Sequence, residues 1–141
     1  MKKSRIAVAA LLAMFAVAQV YAAEDPEAPK VHKQSGALFM SGGFAKAQRD
    51  AMFKAQNKYP IQLIFEVEGQ DLEMSGVKVT LTDLSGFHVI EAVSEGPYFY
   101  INPPASGRYT IDAEYQGDKQ TLTRDLVGRR YLVLEFKFHP K

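Results

Sequence analysis

The chain is expected to be mainly β: a seven-stranded antiparallel β-sandwich with one N-terminal α-helix. Three observations carry this expectation. Seven short runs between residues 61 and 138 show apolar residues with a period of two. Turn-forming clusters of Gly, Pro, Asn and Asp interrupt them every 8–12 residues or so, the spacing of a sandwich. One segment, ahead of these runs, has apolar residues at helical spacing. Strands joined by such short turns pair antiparallel, because a parallel crossover needs about a dozen residues or more.

Taken in order, residues 23–39 read as a flexible leader: residues 23–35 are polar, with Pro26 and Pro29, and a short strand is conceivable over Gly36–Met40. The helix is expected from Ser41-Gly42-Gly43-Phe44 to Lys58. Phe44, Ala47, Ala51, Met52 and Ala55 form a narrow apolar face, Ser41 caps it, and Asn57 or Tyr59-Pro60 ends it. Such an alanine-rich face needs a partner to be stable. The strand period starts at Ile61, Leu63, Phe65 and Val67, and resumes at Val77, Val79 and Leu81 after Gly69-Gln70-Asp71. Asp83-Leu84-Ser85-Gly86 is a tight turn, since Asp bonds the backbone ahead of it and Gly takes positive φ. Strands follow at Phe87–Ser94 and Tyr98–Ile101, separated by Glu95-Gly96-Pro97. Asn102-Pro103-Pro104-Ala105-Ser106-Gly107 cannot be an interior strand, because its prolines give the ladder no donors. Tyr109–Tyr115, a polar strand at Lys119–Leu126, and Leu132, Leu134, Phe136 and Phe138 complete the set. The last is expected to be a central strand.

The 141 residues are one small domain at most. Residues 1–22 have a basic start (Lys2, Lys3, Arg5), the 13-residue apolar run Ile6–Ala18 and a small-residue site at Ala22-Ala23. This reads as a secretory signal cleaved after Ala22 or Ala23, since a membrane-spanning helix needs about 20 residues. Its removal takes three of the 17 basic residues and none of the 16 acids, so the mature segment carries −2. That charge gives no general reason to bind nucleic acid or an anionic membrane. No integral membrane segment is expected in the mature chain. Without cysteine, disulfides, thiolate metal sites and thiol nucleophiles are excluded.

The run Gly96-Pro97-Tyr98-Phe99-Tyr100-Ile101-Asn102-Pro103-Pro104-Ala105-Ser106-Gly107-Arg108-Tyr109-Thr110-Ile111 resembles the signature of carboxypeptidase regulatory-like domains, which are transthyretin-like (prealbumin-like) β-sandwiches. Val77–Leu81, Asp83–Gly86 and Val89–Ser94 resemble that family's strand, turn and return strand. The mature chain also resembles small exported bacterial proteins with a Gly-Gly-aromatic helix start, here Gly42-Gly43-Phe44. The resemblance covers roughly residues 40–138, within a domain of 40–141. It departs at Asn102, where an apolar residue is usual, and at the inserted Ala105-Ser106. It implies a non-enzymatic accessory domain with no cofactor. The hydroxyisourate hydrolases of the same fold end in Tyr-Arg-Gly-Ser, whereas this chain ends Lys137-Phe138-His139-Pro140-Lys141.

Few residues suggest chemistry. His32, His88 and His139 lack the convergent partners of a metal site or triad, and no metal site is expected. Glu66, Glu68, Asp71 and Glu73 lack the spacing of a calcium loop and read as a charged hairpin. Tyr98, Phe99 and Tyr100 cannot all face one side of a strand. Either Tyr98 and Tyr100 face outward as a binding surface for a sugar or peptide, or they pack beneath the helix. Arg124, Arg129 and Arg130 cluster about Gly128, with Asp125 as local partner, and Arg129 and Arg130 join the candidate binding surface.

The resulting expectation is a periplasmic, non-catalytic binding or scaffolding domain whose partner is an envelope protein or polysaccharide. The alternatives are a cell-envelope carbohydrate module, a small hydrolase of the same fold, and a structural partner that adds a strand through an open sheet edge. Mass spectrometry of the mature protein is expected to find its N-terminus at Ala23 or Glu24. Intact Met1 on a stable cytoplasmic product would overturn the export reading.

Overall fold

A computed structural model describes residues 28–69, 74–128 and 130–140. The expected export signal, residues 23–27 of the leader, Asp71, Glu73 and Arg129 lie outside the described residues. Among the described residues there are nine strands in two sheets and one α-helix. The protein is thus mainly β, with two strands more than the seven expected.

The seven expected runs form β3 (Ile61–Val67), β4 (Lys78–Asp83), β5 (His88–Val93), β6 (Tyr98–Asn102), β7 (Gly107–Tyr115), β8 (Asp118–Leu126) and β9 (Leu132–Phe138). Of the two additional strands, β1 (His32–Gln34) lies in the segment expected to be a flexible leader, and β2 (Ala37–Gly42) covers the short strand considered at Gly36–Met40 and runs on into the expected helix start. Ser35 and Gly36 join them with φ of 51° and 82°, and Gln34 opposes Ala37. Positive φ at both central residues matches the strand twist in a two-residue hairpin turn. Residues 28–39 are therefore part of the framework, at variance with the leader expectation.

One sheet has the order β1-β2-β6-β3-β9 and the other β5-β4-β7-β8. Sequential neighbours pair antiparallel, as expected. The pair β3/β9 is parallel, with Ile61 opposite Leu132 and Val67 opposite Phe138. The chain visits the second sheet twice between these strands, so no short turn constrains their direction. Seven-stranded and all-antiparallel are both corrected by this topology. β9 also sits at an edge, where a central strand was expected.

The five-stranded sheet is covered by the second sheet on one face and, over β2, β6 and β3, by the helix on the other, while the outer face of β9 is exposed. Toward the second sheet it presents Phe39, Ile61, Leu63, Phe65, Phe99, Ile101, Phe136 and Phe138, which pack on Val79, Leu81, Ile90 and Ile111. Its other face presents Met40, Tyr98 and Tyr100, which with Met52 and Tyr59 form a smaller cluster under helix α1 (Lys46–Ala55). Burying these side chains is the main favourable term of the fold, at about 1.5–3 kcal/mol for each large one.

Helix α1 begins later than expected. Ser41 is a strand residue, and Ala45 caps the helix with no side-chain hydrogen bond. Gln48 and Arg49 hold the approach instead. Gln48 Oε1 accepts from the Gly43 N–H at 2.5 Å, and Arg49 Nη1 donates to the carbonyls of Gly43 at 2.9 Å and Phe44 at 2.7 Å. Phe44 and Ala47 of the expected apolar face are exposed, while Ala51 and Met52 are buried. At the other end a single 3-10 turn, Gln56–Lys58, continues the helix. Gln62, buried on β3, donates to the carbonyls of Gln56 and Tyr59, both at 3.1 Å, and so satisfies two acceptors where the helix stops.

Phe136 is fully buried, 5.9 Å from the Phe65 ring and 6.3 Å from that of Phe138. Phe136→Ala is expected to cost about 3–5 kcal/mol, read as a large fall in urea midpoint. Lys137→Ala, on the exposed face of β9, is expected to stay within about 0.5 kcal/mol. Equal small effects would show that this register is wrong.

Candidate functional site

Tyr98 and Tyr100 are buried, at 8% and 2% exposure, and Phe99 is fully buried on the opposite face. The strand alternates as expected, but neither side is solvent. Tyr98 meets Phe53 of α1 edge-on at 5.6 Å, and Tyr100 lies 6.2 Å from Tyr59. The reading of Tyr98 and Tyr100 as an outward binding surface is therefore corrected to packing beneath the helix. The reason is the helix itself, which hides the second face of the sheet.

Arg130 is exposed in the turn before β9, and its N–H reaches the carbonyl of Val127 at 3.4 Å. The partner of Asp125 among the described residues is Arg108, which gives it a bidentate pair across the β7/β8 ladder, at 2.7 and 3.2 Å. Arg124 donates to the neighbouring carbonyl of Thr123. Glu68 is paired with His139 at 2.5 Å, and the His139 N–H reaches Asp118 at 2.8 Å. His88 lies 2.9 Å from Glu91 on the exposed face of β5. Among the described residues no group of three His, Asp or Glu is placed to hold a metal ion, and no helix is long and apolar enough to cross a membrane.

The Asp83 turn behaves as its sequence suggests. Its Oδ1 accepts from Ser85 N at 2.9 Å, Ser85 Oγ at 2.6 Å and Phe87 N at 3.0 Å. These bonds, the Ser85 hydroxyl first, hold the Asp83 carboxyl below the usual range.

A cleft opens where the two sheets part. It has a volume of about 170 Å³ and is lined by His32, Phe39, Ser41, Ala92, Val93, Glu95 and Phe99. Its roof is β1, its back wall β2 and β6, and its floor the free edge of β5. His32 stacks on Phe39 at 5.3 Å, and Phe39 on Phe99 at 5.4 Å, so an aromatic series runs from the mouth into the core. Ser41 is buried and committed: its hydroxyl donates to the Tyr98 carbonyl at 2.8 Å and accepts from the Glu95 N–H at 2.9 Å. Glu95 stands exposed at the cleft and has no ion-pair partner among the described residues.

Sequence reasoning missed this cleft because its roof lies in the segment assigned to the leader. The one signal was the Ser35-Gly36 dipeptide, a turn former placed between Val31-His32-Lys33-Gln34 and Ala37-Leu38-Phe39-Met40.

Burial pushes the Tyr100 hydroxyl up to about 12, with neighbouring Tyr98 adding to the rise. The folded state holds this phenol neutral while the unfolded chain ionises it near pH 10. Its contribution is complete below pH 10 and is lost as the pH rises through about 12. Unfolding followed against pH is expected to show stability falling from pH 10 upward, with a shallower fall in Tyr100→Phe. An unchanged slope in that variant would show that Tyr100 is open to water. No protein-family model matches the chain, and no curated protein is significantly similar to it.

Proposed function

We propose that this chain is an exported, periplasmic, non-catalytic binding or scaffolding module of the carboxypeptidase regulatory-like, transthyretin-like type, and that it binds at the cleft between β1 and β5. One observation carries the choice of site: a cleft of about 170 Å³ with Phe39 and Phe99 in its wall and Ser41 and Glu95 in its lining lies where the two sheets part. Its size and aromatic wall suit one apolar or aromatic group. The two packed sheets, with a helix over one of them, support the transthyretin-like reading. A non-catalytic role is supported by Ser41, the hydroxyl lining the cleft, whose hydrogen bonds are already committed to backbone groups. The carbohydrate reading loses the two outward rings on which it rested.

Titration with indole, followed by amide NMR, tests this site. Shifts are expected to cluster at His32, Phe39, Ala92, Val93 and Glu95. Ala92→Leu, which fills the cleft, is expected to abolish them. Shifts scattered over the surface, or unchanged by Ala92→Leu, would overturn the assignment.

A further inference from the structure

We propose that the cleft takes an extended peptide segment, which adds a fifth strand to the four-stranded sheet along β5. The inference rests on the binding-module reading above and names its ligand class.

The first ground is the unequal width of the sheets. Five strands lie over four. At one side β8 and β9 are joined, as Gln120 of β8 donates to the Lys137 carbonyl of β9 at 2.7 Å. At the other side β1 and β5 are the edge strands of their sheets, and the cleft lies between them.

The second ground is a hydrogen bond. The N–H of Glu91 turns away from β4 and donates to Gln34 Oε1 at 2.6 Å. In a sheet that N–H would meet the carbonyl of the next strand. The Gln34 side-chain amide on β1 supplies the missing carbonyl, so it occupies the place of an absent neighbour. Val93, two residues on, turns its N–H and C=O to the same side, and its side chain is 59% exposed.

The third ground is charge. Glu95 is the unpaired carboxylate of the cleft, while Glu91 is shared with His88. In an added strand that places an apolar side chain against Phe39 and Phe99, the side chains two residues away share its cleft-facing side, where Glu95 stands. The segment recognised is therefore extended, apolar at the anchor and basic two residues from it. In this mode main-chain bonds provide affinity and the side-chain pocket provides selectivity.

The probe is a blocked hexapeptide, acetyl-Lys-Thr-Phe-Thr-Val-Thr-amide, titrated into the mature protein by amide NMR and fluorescence anisotropy. It is expected to shift Glu91, Val93 and Glu95, slow hydrogen exchange at the Glu91 and Val93 amides, and displace indole. Gln34→Ala removes the competing carbonyl and is expected to tighten binding about two- to tenfold, the equivalent of one net hydrogen bond. A merely structural Gln34 would leave affinity unchanged or weaken it, which overturns the proposal. Val93→Pro deletes an edge donor where proline is tolerated and is expected to weaken binding. The same peptide N-methylated at alternate residues is expected to bind poorly, and equal binding overturns strand addition. If indole enters the cleft and the hexapeptide does not displace it, the ligand class is wrong and the site stands. If neither shifts the cleft, both readings fail. Displacement by an oligosaccharide alone, or closure of the cleft by self-association in sedimentation, also overturns the proposal.

Discussion

Two backbone segments touch at Gly42 and Gly96, and much of the molecule depends on that contact. A Cβ at Gly96 would stand 2.3 Å from the carbonyl carbon and oxygen of Gly42, far inside any tolerated separation. Here the chain leaves β2 for the helix and enters β6 from the second sheet. Next to it, Gly43 takes φ of 102°, and a Cβ there would lie 2.4 Å from the Tyr98 ring. The Gly-Gly pair therefore lets the chain turn over Tyr98, so that α1 can cover the aromatic strand. Ser41 ties the same crossing by bonding both Glu95 and Tyr98. Helix seat, tyrosine burial and the Glu95 wall of the cleft follow from one close approach, and these glycines are needed for their lack of a side chain.

The strands at residues 61–67, 78–83, 88–93, 98–102, 107–115, 118–126 and 132–138 were legible because each lies on a half-buried or better pleated surface, where period two survives. What period two cannot convey is which layer covers the second face. Gln62 and Tyr98 look outward by alternation, yet the helix buries both. Nor does alternation reveal a strand's neighbour. β9 alternates cleanly, with Phe136 and Phe138 inward, and pairs in parallel at an edge because its partner β3 is distant in sequence. The cleft was illegible for a related reason. Its roof is a three-residue strand whose inward residues, His32 and Gln34, are polar, so only the Ser35-Gly36 turn signals it.

The two open sides of the sandwich are managed differently. Beside β8 and β9, polar groups link the sheets at Gln120 and at His139, whose N–H reaches Asp118 while its ring meets Glu68. Beside β5, the edge strands β1 and β5 are bridged by the Gln34 amide, which accepts from the Glu91 N–H. Edge strands present unpaired backbone groups that invite further pairing. A side chain that mimics a neighbouring strand satisfies one such group without filling the space that a strand would occupy. Releasing it would forfeit roughly one net hydrogen bond, about 0.5–1.5 kcal/mol, which the main chain of the proposed added strand would replace.

The position of the cleft also fits a domain that holds together without disulfides. Without that cross-link the fold leans on packing, and the large side chains at the centre of the two sheets provide it: Phe65, Phe99, Phe136 and Phe138 are at most 1% exposed. A site cut into that centre would remove contacts the fold cannot spare, since total stability is typically only about 5–15 kcal/mol. At the β1/β5 side the core is already thinning. There Phe39 closes the core with one ring face against Phe99 and offers the other toward His32 and the opening. One aromatic residue thus completes the interior and forms the back of the cleft. The strand that carries it, β2, is held by backbone pairing to β6, so a ligand of the proposed kind would meet a wall that also belongs to the core.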